Sequence, residues 1–122
     1  APRRPPPAPQ LQVLNLSRNN LAGAGRWIAQ LARSKHIEEL HLERCQLQPE
    51  DVSKLAAALA HSGLRCLRLG HNCLGPDGLL ALAGALARSQ IQHLGLEGND
   101  IGAGSALDAL ASALARRPIP IA

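Results

Sequence analysis

The chain has no phenylalanine, tyrosine or methionine and a single tryptophan, Trp27. A core without aromatic rings has to be assembled from Leu, Ile, Val and Ala, which suits many copies of one small module better than one large irregular interior. Cysteine is scarce as well: there are three, an odd number, which argues against a closed disulfide framework. No apolar run approaches the roughly 20 residues that a membrane-spanning helix needs. No membrane contact is therefore expected. Nothing resembles a signal peptide, so a reducing, intracellular setting (cytoplasm or nucleus) is the expectation. Because it begins at Ala1 rather than Met, the chain reads as an excised or processed piece.

An excess of charge is also missing from the body of the chain. The formal net charge is +4, but Arg3, Arg4, Arg116 and Arg117 lie in the terminal segments. With those set aside, the nine remaining Lys and Arg match the nine Asp and Glu. A binder of phosphate backbones clusters its basic residues on one face, so no specific nucleic-acid partner is expected.

What is present is a phrase that returns four times. Leu11-x-x-Leu14-x-Leu16-x-x-Asn19-x-Leu21 is followed by Ile37/Leu40/Leu42/Cys45/Leu47, Leu64/Leu67/Leu69/Asn72/Leu74 and Ile91/Leu94/Leu96/Asn99/Ile101. A fixed period of 20 to 50 residues signals a stacked repeat architecture. The chain divides into a proline-rich extended tail (1–10), four repeats (11–36, 37–63, 64–90 and 91–117) and a C-terminal tail (118–122). Each repeat has two halves. Leu14-Asn15-Leu16 and its counterparts alternate with period 2, as half-buried strands do. Leu79/Leu82/Leu86, Val52/Leu55/Leu59, Leu107/Leu110/Leu114 and, in the first repeat, Trp27/Ile28/Leu31 supply apolar helix faces. Pro49-Glu50-Asp51 and Pro76-Asp77 suit helix starts, and Ser62-Gly63 suits a helix end. The expected fold is α/β: a solenoid with parallel strands on a concave face and helices on the convex face.

The phrase resembles the leucine-rich repeat pattern L-x-x-L-x-L-x-x-N/C-x-L, complete in all four units with Ile allowed for Leu. Leu74-Gly75-Pro76-Asp77-Gly78 with Leu82-Ala83-Gly84-Ala85-Leu86 further resembles the ribonuclease-inhibitor-like subclass. That subclass includes ribonuclease inhibitor, NOD-like receptor sensor domains, Ran GTPase-activating protein and tropomodulin. The resemblance implies a surface that holds another macromolecule. The chain is expected to be a non-enzymatic protein-interaction scaffold, a segment of a larger repeat domain. A GTPase activator and a sensor or autoinhibitory segment of a NOD-like innate immune receptor are the alternatives.

Within the phrase, Asn19, Cys45, Asn72 and Asn99 are expected to form a structural ladder, because a side-chain amide can both donate and accept where the strand turns away. Alternation leaves the intervening residues on the concave face. Glu39, His41, Glu43, Arg44, Arg68, His71, His93 and Glu97 are the candidate contacts with a protein partner. Cys66 and His93 should be neighbours, with His41, His71 and Cys73 near, but the spacing lacks the short ligand pairs of zinc sites, so neither metal nor cofactor is expected. A flat sheet offers no pocket from which water is excluded, so no catalytic residues are expected either. The N-terminal tail carries R-x-x-P-x-x-P through Arg3, Pro6 and Pro9, an arrangement that can dock weakly onto an SH3 groove; a plain proline-rich linker is the competing reading.

Overall fold

A computed structural model describes residues 12–101 and 104–121. The calls on Arg3, Pro6 and Pro9 lie outside the described residues. Strand and helix alternate through the chain: β1 (Val13–Asn15), α1 (Gly25–Ala32), β2 (Glu39–His41), α2 (Pro49–Ala58), β3 (Cys66–Arg68), α3 (Gly75–Leu86), β4 (His93–Gly95) and α4 (Ser105–Arg116). The strands form one parallel sheet in sequence order, and each repeat places Leu14, Leu40, Leu67 and Leu94 side by side. Each helix packs on its neighbours in sequence. Parallel strands sit about 4.8 Å apart and packed helices about 8–10 Å apart. A layer of helices joined to a layer of strands must therefore bend, with the sheet inside.

The interior follows the repeated phrase. Leu40, Leu42 and Leu47, then Leu64, Leu67, Leu69 and Leu74, then Ile91, Leu94 and Leu96 are buried with Val52, Leu55, Leu59, Leu79, Leu82 and Leu86 from the helices. Leu14, Leu16 and Leu21 of the first repeat are only partly buried, because no repeat covers their outer side among the described residues. Trp27, expected on the apolar face of α1, is 50% exposed. In α4 the expected Leu107 is exposed and Ala106 is buried in its place, so the buried stripe is Ala106 and Leu110. Helix α2 tightens into a 3-10 turn over Leu59–His61, closed by Ser62 Oγ donating to the Leu59 carbonyl at 3.1 Å.

The polar ladder forms at three of its four rungs. Asn72 Oδ1 accepts the Cys45 and Leu47 amides at 2.9 and 3.1 Å, while Nδ2 donates to the Leu42 and Leu69 carbonyls, both at 2.8 Å. Asn99 repeats this one unit on, accepting from the Asn72 amide and donating to Leu69 and Leu96. Cys45 Sγ reaches the equivalent carbonyl, that of Leu16, at 3.2 Å. Asn19 departs from expectation: it is exposed and its amide donates only to Leu16, in its own repeat. A rung needs a preceding repeat to bind, and the first repeat has none among the described residues.

A second brace involves Asp51, whose sequence context suggested only a charge near a helix start. The residue is 3% exposed. Its carboxylate accepts the Gln48 amide at the start of α2 and the Gly23 and Gly25 amides at the start of α1. One buried anion thus serves orphan N–H groups of two helices. Gly25 makes room for it, since a Cβ there would lie 2.5 Å from the Asp51 Cα.

Candidate functional site

The open face of the sheet is built from the residues between the buried leucines. Strand register aligns Val13, Glu39, Cys66 and His93 in one column and Asn15, His41, Arg68 and Gly95 in the next. Beyond the strands the alignment continues through Ser17, Glu43, Gly70 and Glu97, with Ser17 Oγ accepting the Glu43 amide at 3.0 Å. Backbone bonds lock the columns, so the side chains stand on a rigid grid.

Sign alternates from repeat to repeat across that grid. The second repeat presents Glu39 and Glu43, the third Arg68, and the fourth Glu97. His41 Nε2 lies 3.2 Å from Glu39 Oε2, the one ion pair among the described residues, and it requires a protonated imidazole. Half-exposed pairs of this kind contribute at most about 1 kcal/mol, so the contact orients His41 more than it stabilises the fold. Glu97 folds across Gly70: a Cβ on that glycine would lie 2.8 Å from the Glu97 carboxyl carbon. Both Gly70 and Gly95 are buried, which leaves a dip in the face where longer side chains would stand.

Arg44 and His71 sit on the adjoining turns rather than on the strands. Arg18, Arg44, His71 and Gly98 occupy the same place in successive repeats, and all have positive φ, of 68°, 56°, 57° and 69°. Their amides bond across the stack: Arg18 to the Glu43 carbonyl, Arg44 to Gly70 and His71 to Glu97, at 2.7 to 3.0 Å. The left-handed turn thus aims three basic or imidazole side chains outward at the margin of the sheet. Gly98 is glycine for a second reason, since a Cβ there would overlap the His71 imidazole.

Two expectations need correction. Cys66 was expected to stand open on the face, but it is only 9% exposed. The second concerns the segment expected to be a tail. Ile121 bridges Leu94 in parallel, and the Leu94 amide donates to the Pro120 carbonyl at 3.2 Å. Pro118-x-x-Ile121 therefore stands where a fifth phrase would start, one 27-residue step beyond Ile91 and Leu94. Cys66, Arg68, His93, Gly95, Pro120 and Ile121 line a dip of about 170 Å³. The register supplied the signal for this strand; two prolines in a short segment hid it.

Chemically the face can make hydrogen bonds and ion pairs. Cys66 and His93 are register partners, but among the described residues no group of three or more His, Cys, Asp or Glu could hold a metal ion. Burial pushes the Cys45 thiol above its usual pKa, partly offset by the backbone hydrogen bonds from Asn19 and Arg18. A thiol kept protonated is a poor nucleophile, which suits a ladder rung.

Two family models, both described as Leucine Rich Repeat, match the sequence, one over residues 10–31 and the other over 33–56 and 62–83, together more than half of the chain. Nothing among curated proteins matches it. Among solved structures, it resembles "Leiomodin-1 Actin-Binding Site 2 (ABS2)" with a TM-score of 0.81 at 14% identity, over 90% of this chain and 68% of that one. At that identity the likeness carries the architecture alone. The repeated phrase, the parallel sheet with its asparagine ladder and these matches agree: the chain belongs to the leucine-rich repeat family, as an α/β solenoid segment.

Proposed function

We propose that this solenoid is a non-enzymatic scaffold that holds a protein partner on its concave face, through Glu39, His41, Glu43, Arg68, His93 and Glu97, with Arg44 and His71 at the margin. The supporting observation is the sign alternation on a register-locked sheet: acidic, basic and acidic repeats in succession make a pattern that a complementary surface can read. Complementary charge contributes more to specificity and encounter rate than to raw affinity. The face lacks the aromatic anchors common in tight interfaces, so moderate, salt-dependent binding is the form expected. Its partner is best placed in a reducing compartment, since Cys73 is exposed and free.

The chain is further proposed to be part of a longer, ribonuclease-inhibitor-like stack. The half-exposed Trp27 and the partly buried Leu14, Leu16, Leu21 and Leu31 of the first repeat are the kind of apolar flank a further repeat covers. Actin is the first partner to test, because the similar solved structure carries that name; co-sedimentation with filaments and binding to monomers are direct readouts. For any partner found, Arg68→Glu is expected to weaken binding at least tenfold while circular dichroism stays unchanged. Full binding by Arg68→Glu and by Glu43→Arg would remove the concave face from the proposal. GTP hydrolysis by small GTPases is expected to be unaffected by the chain; acceleration would restore the activator reading.

A further inference from the structure

The balance of acidic and basic residues conceals a separation between the two rims of the solenoid. One rim holds the loops that return from helix to strand. There stand Arg33, Lys35, Arg65, Arg88 and Arg116, all exposed, together with His36 and His61. Glu38, partly buried, is the carboxylate on this rim. The other rim, leading from strand to helix, holds Glu43, Glu50, Asp77, Glu97, Asp100 and Asp108, with Asp51 buried beneath, against Arg18, Arg26 and Arg44.

Helix dipoles account for part of this arrangement, since cations are favoured at helix C-termini and anions at N-termini. They leave the rim cations uncommitted. Arg117 is tied into the fold, its guanidinium donating to the Leu86 carbonyl at 3.1 Å and to Ser89 Oγ at 3.3 Å. None of the five exposed cations has a carboxylate within 4.0 Å among the described residues. Arg33 also lines one end of a groove of about 490 Å³ that runs along α1 and α2, with Lys54 midway and Arg26 at the opposite end of α1.

We infer that this basic rim, on a different surface from the concave face, docks an acidic polypeptide segment in extended form. Spacing favours that occupant. Lys35, His61 and Arg88 hold the same position in successive repeats, so they stand about one helix spacing, roughly 10 Å, apart. A chain extended in the polyproline II form rises about 3.1 Å per residue with three residues per turn, so every third side chain recurs on one face at roughly the same distance. The expected partner carries Asp or Glu at every third position. A lipid surface fits less well, because the large exposed apolar side chains, Val13, Trp27, Leu80, Leu107 and Ile121, all lie outside the return loops of 33–38, 62–65 and 87–92. Single-stranded nucleic acid would want aromatic platforms for its bases, and those loops contain none.

The test measures anisotropy of a labelled peptide with glutamate at every third position, titrated with the full chain at low and high salt. Lys35→Glu with Arg88→Glu is expected to weaken binding tenfold or more. Arg18→Glu with Arg44→Glu, the same change of charge on the opposite rim, is expected to change it less than twofold. The concave-face variant Arg68→Glu should bind the peptide normally, which separates this inference from the proposed function. If the reversed rim variant unfolds by circular dichroism, Lys35→Gln with Arg88→Gln serves instead, with a threefold loss expected. Equal losses on both rims would reduce the effect to net charge and overturn the inference. So would tighter, rim-dependent binding of a duplex oligonucleotide or of phosphatidylserine vesicles.

Discussion

Replacing Asn72 with alanine should cost more than replacing any other ladder residue, and the cost follows from counting what is stranded. Its Oδ1 serves the Cys45 and Leu47 amides, and its Nδ2 serves the Leu42 and Leu69 carbonyls. Nδ2 also reaches the Gly70 carbonyl at 3.3 Å. Leu69 and Gly70 keep partners, because Asn99 Nδ2 donates to Leu69 at 2.8 Å and the Arg44 amide donates to Gly70 at 3.0 Å. Three buried groups therefore lose the bond this amide gives them: two amides and the Leu42 carbonyl. A buried group left without a partner costs about 1–3 kcal/mol. Water entering the vacated space recovers some of it, so a net loss of about 4 kcal/mol is expected. That is a large part of the roughly 5–15 kcal/mol that holds a domain folded. With a urea dependence of about 2 kcal/mol per molar, within the usual range, the midpoint should fall by about 2 M. Asn19→Ala, which breaks one exposed bond to Leu16, should cost less than about 0.5 kcal/mol. Asn72→Asp, which keeps acceptors but turns a carboxylate toward two carbonyls, should be at least as damaging as the alanine variant. Urea unfolding should be followed both by circular dichroism and by Trp27 fluorescence, because repeat proteins can unfold unit by unit and Trp27 reports the first repeat alone. An Asn72→Ala loss within about 0.5 kcal/mol of the Asn19→Ala loss would refute the ladder as a source of stability, since ordinary surface substitutions already span that range.

Other perturbations probe the remaining features. The Cys45 thiol is held protonated by burial. The unfolded chain therefore releases its proton first, and stability that is full below about pH 8.5 should decline as pH rises toward the folded-state pKa; Cys45→Ala should flatten that decline in urea midpoints measured across the alkaline range. Asp51→Ala should cost about 3 kcal/mol by stranding amides of two helices, whereas Asp51→Asn, which retains one acceptor, should cost about half as much; equal melting temperatures for the two would count against the shared-brace reading. Gly98→Ala should lower stability by about 2 kcal/mol, combining a left-handed backbone penalty with displacement of His71, and the His71 NMR resonances should shift with it.

The repeated phrase made the architecture legible because stacking obeys a simple rule: whatever the leucine positions bury in one unit, the next unit must also bury. Val52, Leu55, Leu79 and Leu82 follow from period alone. The failures share one cause, the ends of the stack. Asn19 looks identical to Asn72 in sequence, yet among the described residues no preceding repeat offers the groups a rung binds. Trp27 and Leu107 lie on flanks that no neighbouring helix covers among the described residues. Asp51 was opaque for a different reason: its role depends on Gly25, 26 residues earlier, and on the absence of a Cβ there. Pro120 and Ile121 bridge the last strand, a contact that composition disguised as a tail.

Charge is where a one-dimensional count and a solenoid differ most. Along the chain the charges cancel only between units: the first repeat carries Arg18, Arg26, Arg33 and Lys35 with no carboxylate, and the second carries five carboxylates against Arg44 and Lys54. Stacking brings the same part of every unit onto the same rim, so the return-loop cations gather on one rim and the carboxylates of the later units gather on the other. Cancellation then holds for the molecule and fails for each rim. The separation persists over the span of the stack, well beyond the Debye length of about 8 Å at physiological salt, so a ligand at one rim is screened from the other. Two surfaces of opposite sign can thus act independently on one rigid scaffold, and the alternating concave face lies between them. For a protein with no aromatic patch and no enclosed pocket among its described residues, this additive geometry is what the proposed docking surfaces would draw their selectivity from. It also explains why an exchange of charge between rims, which leaves composition unchanged, should alter binding while leaving the buried leucine ladder intact.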